Sequence, residues 1–151
     1  MKHKNAWKYL SAMLFTALAF ASFNSMAADK TAAGARAAHE KVVIQVSDDD
    51  PKKWNLALNN AKNVQDALGA ANVDIEIVAY GPGIGMLKLD SEVGNRIDQA
   101  VAAGIKVVAC ENTMQKQKLS KQDMLPSAGY VPAGVVELIR KQHEGYAYLR
   151  P

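Results

Sequence analysis

The chain is almost devoid of cysteine: Cys110 stands alone among 151 residues. A single thiol excludes an intrachain disulfide and any zinc cluster built from several thiolates. It leaves a sulfur that is free, capped or shared with another chain. Charge of one sign is scarce as well. The 18 Lys and Arg residues exceed the 15 Asp and Glu by three, and Lys2, Lys4 and Lys8 near the start supply that whole excess. With no Lys/Arg stripe and only 7% aromatics, a nucleic-acid surface has neither its charge nor its stacking platform. Long apolar runs are lacking too. The one present, Leu10 to Phe23, is shorter than the roughly 20 residues that cross a bilayer. Nor is there a G-x-G-x-x-G phosphate fingerprint or a legible Ser-His-Asp set, so no cofactor is expected.

What the first residues do contain is a pattern. Three lysines precede the apolar run, and Asn24-Ser25-Met26-Ala27 follows it, with Ser25 and Ala27 as the small residues of a cleavage site. A basic head, a short apolar stretch and a small-x-small end constitute a secretory signal. Residues 1–27 are therefore expected to be removed after Ala27, placing the mature chain in the periplasm. No cysteine adjoins the site to receive a lipid anchor, so no membrane contact is expected after cleavage. Loss of the three lysines leaves a mature chain with equal numbers of basic and acidic residues. It is the size of one domain.

After an Ala-rich lead-in over residues 28–40, strand and helix patterns alternate through 41–151. Lys41 to Ser47 is a β-branched run suited to a strand buried on both faces. Asp50 followed by Pro51 reads as an N-cap and first helical residue, starting a helix that buries Trp54, Ala57, Leu58, Ala61, Val64 and Leu68 before Gly69 stops it. Val73 to Tyr80 is a second strand, and the glycines at 81, 83 and 85 force a turn. A helix starting at Asp90-Ser91-Glu92 and burying Val93, Ile97, Ala100 and Val101 should end at Gly104, and Ile105 to Cys110 forms a third strand. Helical turns after Thr113 and after Ser120, a short strand at Tyr130-Val131, a helix from Pro132 to Glu144 and a last strand, Tyr146 to Leu149, complete the chain. This alternation predicts a flavodoxin-like three-layer α/β/α domain with a mainly parallel sheet of about five strands.

Sites in such sheets form at the carboxyl ends of the strands. Here those ends carry Asp48 to Asp50, Gly81 to Gly85 and Cys110 to Met114. A thiol at a strand end, ahead of a helical turn with unpaired N–H groups, has the surroundings that favour a thiolate. The plainer reading is a buried cysteine that only packs. Consecutive aspartates cannot all face one cation, and Asp50 is already explained as a cap. The glycine-rich turn follows the second strand and is read as a close approach of backbone to the Cys110 loop. Cys110 and Met114, at i and i+4, together with Met86, Met124, His39 and His143, would suit a soft ion such as Cu(I). Core filling is the plainer role of the methionines.

Ala109-Cys110-Glu111-Asn112-Thr113-Met114, Asp123-Met124-Leu125-Pro126, Tyr130 to Glu137, Gln142 to Pro151, and Val78-Ala79-Tyr80-Gly81-Pro82-Gly83 resemble the exported branch of the DsrE/DsrF-like family. The resemblance runs from Lys41 to Pro151. It implies a compact α/β fold, assembly into homo- or hetero-oligomers built on trimers or dimers of trimers, and, as in the sulfur-relay members, a cysteine that carries persulfide sulfur. Only Cys110 matches that role, which implies a sulfur donor or acceptor protein as partner. The expected pocket is Cys110 with Asn112, Thr113, Met114, Gly81, Pro82, Gly83 and Asp48. A non-catalytic oligomeric scaffold with a structural cysteine, or a copper carrier, are the alternatives.

Overall fold

The structure, a computed structural model, describes residues 39–151. The expected export signal and nearly all of the expected lead-in lie outside the described residues. Five strands form one sheet: β1 (Glu40–Val46), β2 (Val73–Ala79), β3 (Lys106–Cys110), β4 (Gly129–Val131) and β5 (Ala147–Leu149). Their order is β4-β3-β2-β1-β5, and every pairing is parallel. Parallel neighbours need crossovers, and the sequence supplies α1 (Pro51–Leu68), α2 (Gly94–Ala102), α3 (Glu111–Lys116) and α4 (Gly134–His143). The expected α/β fold is thus the observed one. Winding proceeds from β1 through β4 in one direction, then reverses to place β5 beside β1.

The two faces of the sheet are unequally covered. Alternate residues of the central strands, Val42, Ile44 and Val46 with Ile75, Ile77 and Ala79, point into a large core shared with Trp54, Ala57, Leu58 and Ala61 of α1 and Ile97 of α2. The opposite face has only a small apolar cluster, Val43, Val78 and Leu138, under α4. Both faces are nonetheless apolar at the centre, which is why these strands read as continuous hydrophobic runs.

Local signals placed α1 well. The Asp50 carboxylate accepts from the Lys52 N–H at 2.8 Å, Pro51 opens the helix, and Gly69 ends it at φ 86°. Leu68 departs from expectation, being 41% exposed. An 18-residue helix spans about 27 Å and a seven-residue strand about 23 Å, so the last turn of α1 overhangs the sheet. The start of α2 also differs. Asp90 to Val93 form turns, and the helix begins at Gly94. Leu89 N–H donates to the Asp123 carbonyl and Leu125 N–H to the Leu87 carbonyl, so a tertiary bridge holds the chain extended just where the capping residues suggested a helix.

Candidate functional site

Cys110 is the last residue of β3 and the residue from which α3 begins, with φ −76° and ψ 112°. Alternation along β3 turns Val107 and Ala109 into the large core and leaves Cys110 on the α4 side. There it lines a cavity of about 400 Å³ together with Tyr80, Gly81 and Pro82 from the end of β2, Asn112, Thr113, Lys116 and Gln117 from α3, and Ala133, Gly134 and Val135 from the start of α4. Cys110 is only 5% exposed, so it sits at the floor. Lys116 contributes the cavity's one formal charge.

Burial pushes the thiol's pKa up, but the Thr113 hydroxyl and the backbone N–H groups of Gly134, Thr113 and Asn112 outweigh it, and the net pKa is lowered. These donors act as dipoles converging on sulfur from two helix starts. Each has a structural reason to be there. The Thr113 hydroxyl accepts from the Gly81 N–H at 2.9 Å, which leaves its own O–H free to donate. The Asn112 N–H is shared with the Pro132 carbonyl at 3.1 Å, making it the weakest of the four. Gly134 has little room for a side chain: a Cβ there would meet Tyr80 Cβ at 3.0 Å, Cys110 Cβ at 3.2 Å and Val78 Cγ1 at 3.3 Å. The absent side chain is what lets the α4 backbone reach the sulfur.

Of the residues singled out in the sequence, Cys110, Asn112, Thr113, Gly81 and Pro82 come together. Three lie elsewhere. Met114 is buried in the large core, because α3 starts at Glu111 rather than after Thr113 and rotation carries Met114 to the opposite side. Cys110 and Met114 therefore do not face one ion; Met86 and Met124 are also core residues. Gly83 is buried against the end of β1, within 2.5 Å of Val46 O for a notional Cβ, so the close backbone approach of the glycine turn is to β1, while Gly81 alone reaches the Cys110 loop. Asp48 sits at the end of β1, 3.2 Å from Lys53 and 3.9 Å from Arg150, and its carbonyl accepts from Trp54 Nε1 at 2.8 Å. Among the described residues no group of three or more His, Cys, Asp or Glu is placed to hold a metal ion.

Tyr80, Lys116, Gln117 and Gly134 were not found from the sequence. Gly134 lies 24 positions beyond Cys110 and reaches it only because the β4–α4 crossover returns over the sheet. A second crevice of about 450 Å³, lined by Asp49, Trp54, Lys88, Asp90 and Glu92, lies across the 81–87 segment. It includes Ser91 but no thiol, and the Cys110 cavity remains the candidate site.

Solved structures share this architecture. A protein of unknown function from Methanobacterium thermoautotrophicum is 33% identical, with a TM-score of 0.71 over 74% of this chain and 99% of that one. A conserved protein of unknown function from Bacteroides thetaiotaomicron is 16% identical with a TM-score of 0.61, covering 74% of this chain and 95% of its own. The ychN protein from E. coli is 12% identical with a TM-score of 0.61, covering 75% and 99%. No curated protein matches significantly. The family model for DsrE/DsrF-like proteins matches residues 13–151, nearly the full length. A parallel five-stranded α/β domain matched over that span belongs to the DsrE/DsrF-like family.

Proposed function

We propose that the chain is an exported sulfur carrier in which Cys110 accepts a sulfane sulfur, holds it as a persulfide and passes it to a partner thiol. The observation that carries this reading is a buried thiol at the floor of an open cavity with N–H and O–H donors aimed at it, an arrangement that lowers its pKa. A thiolate is the attacking form in such exchange. The Cys110 thiolate attacks the outer sulfur of a donor persulfide; the donor S–S bond breaks with its electron pair on the departing thiolate, and a new S–S bond forms on Cys110. The same donors then face the sulfur next to the new bond. Attack by an acceptor thiolate reverses the exchange and restores Cys110, so the cycle needs no external oxidant or reductant. Lys116 at the cavity wall favours approach of an anionic donor.

Incubating the mature protein with a small-molecule persulfide should add about 32 Da, one sulfur atom, to the Cys110 peptide, and cyanide should remove it. Cys110→Ser should gain nothing. A wild-type thiol that stays unmodified under these conditions would leave the packing role, within a non-catalytic scaffold, as the correct reading.

We also propose a homo-oligomer, a trimer or hexamer, assembled through the outward side of α4. Val135, Val136 and Ile139 are 52%, 51% and 49% exposed along that helix, with half-buried Val108 and Val131 on the same face of the sheet. Contiguous apolar surface of this kind favours burial against a partner. Sedimentation should find the wild-type protein oligomeric and Ile139→Glu dissociated toward monomer; a monomeric wild type would refute the assembly.

A further inference from the structure

Helix α4 is anchored unusually. Its inward stripe is Gly134, Glu137, Leu138 and Lys141, so only Leu138 is a sizeable apolar side chain. The rest of the footprint is a charged cluster. Glu76, in the middle of β2 and 4% exposed, lies with Oε2 3.6 Å from Lys141 Nζ, while its Oε1 is buried with no hydrogen-bond partner. Glu137, 5% exposed, takes Arg140 at 2.8 Å and lies 3.8 Å from the same Lys141, which also reaches Glu144 at 3.1 Å. Three carboxylates thus share two cations on α4. From the other elements, Lys106 of β3 is the register neighbour of Glu76 but is exposed, Lys41 of β1 is directed to the Glu144 carbonyl and the Tyr146 ring, and the Tyr146 ring lies under Lys141. Among the described residues no donor remains for Glu76 Oε1.

We infer that Glu76 is a proton-sensitive latch for α4 and, through the Gly134 end of that helix, a positioning residue for the Cys110 cavity. As a carboxylate it is buried, one oxygen is unpaired, and Glu137 repels it. Taking a proton from solvent lifts the cost of burying the charge and the repulsion from Glu137, which together exceed the Lys141 attraction given up, and seats α4 more firmly. Burial raises the Glu76 pKa above its ordinary 4.5; Lys141 opposes the rise and Glu137 adds to it. Lys141 stays protonated, burial being outweighed by Glu144 and Glu76. For a carboxylate with a raised folded pKa, the folded state binds more protons between the unfolded and folded values. Stability from this group is therefore fully present below the ordinary glutamate value and declines as pH rises through the folded one.

The inference rests on the sulfur-carrier reading only for its consequence at Cys110. The direct test is a carboxyl NMR titration of Glu76 in the wild-type protein, with amide exchange of α4 followed between about pH 5 and pH 8 and corrected for intrinsic rates. The expected result is a Glu76 titration above that of an exposed glutamate, with α4 opening several-fold more often at the upper pH. Glu76→Gln should abolish that pH dependence and keep α4 at the protection seen at low pH. In the variant the Cys110 alkylation rate should follow thiol ionisation alone. An ordinary Glu76 titration, or an unchanged α4 pH profile in Glu76→Gln, overturns the latch. Persulfide loading is read separately, so its failure beside a normal latch would refute the sulfur role alone.

Discussion

Gly83→Ala should destabilise the domain by about 3 kcal/mol or more, the upper range of overpacking. A Cβ at this position would lie 2.5 Å from Val46 O, 2.7 Å from Val46 C and 2.9 Å from Ser47 Cα. These are backbone atoms at and just past the end of β1, where Val46 pairs with Ala79 of β2, so no rotamer change relieves the contact. Relief requires the 81–87 segment to move away from β1, which would expose Ile84, Met86 and Leu87, each no more than 1% exposed. Against a total stability of about 5–15 kcal/mol, such a loss lowers the urea midpoint markedly. A midpoint within error of the wild type would show that the packing of this segment is looser than described.

Gly134→Ala acts on the site rather than on the fold. Helix propensity alone favours alanine by about 1 kcal/mol, whereas the contacts at 3.0 to 3.3 Å with Tyr80, Cys110 and Val78 oppose it by about 1–3 kcal/mol. The net is a loss of at most about 2 kcal/mol, smaller than that expected at Gly83. The start of α4 must nevertheless shift by a few tenths of an ångström, and the Gly134 N–H is one of the donors that lower the Cys110 pKa. The thiol pKa should therefore rise and sulfur loading slow at neutral pH. Alkylation kinetics against pH for variant and wild type give the comparison; superimposable profiles would remove Gly134 from the site.

Much of the fold was legible because its signals are local. The Val42 to Val46 run, the Asp50-Pro51 helix start and the stop at Gly69 each depend on residues close in sequence, and each is where the pattern placed it. The start of α2 was not, because the bridge between Lys88 and Met124 is a contact across 36 positions that overrides the capping potential of Asp90 and Ser91. Strand order is likewise a property of crossovers rather than of any one segment. The site was half legible. Strand-end logic found Cys110, Asn112 and Thr113, but an error of a few residues in the start of α3 assigned Met114 to the cavity, since each helical residue turns by about 100°. Gly134 enters only through the return of α4 over the sheet, whereas Tyr80 adjoins Gly81 at the end of β2 and Lys116 lies one turn beyond Asn112 on α3. The Glu76 cluster gave no signal at all, because a single glutamate in a strand pattern looks like a solvent-facing position.

The central claim is that the fold lowers the pKa of Cys110 despite burying it, and the most direct measurement is the pH dependence of its alkylation by a small neutral reagent in the wild-type protein. The account predicts a single transition with an apparent pKa below that of a free cysteine measured under the same conditions. A transition at or above the free-cysteine value, or a thiol that reacts only when the protein unfolds, would contradict it.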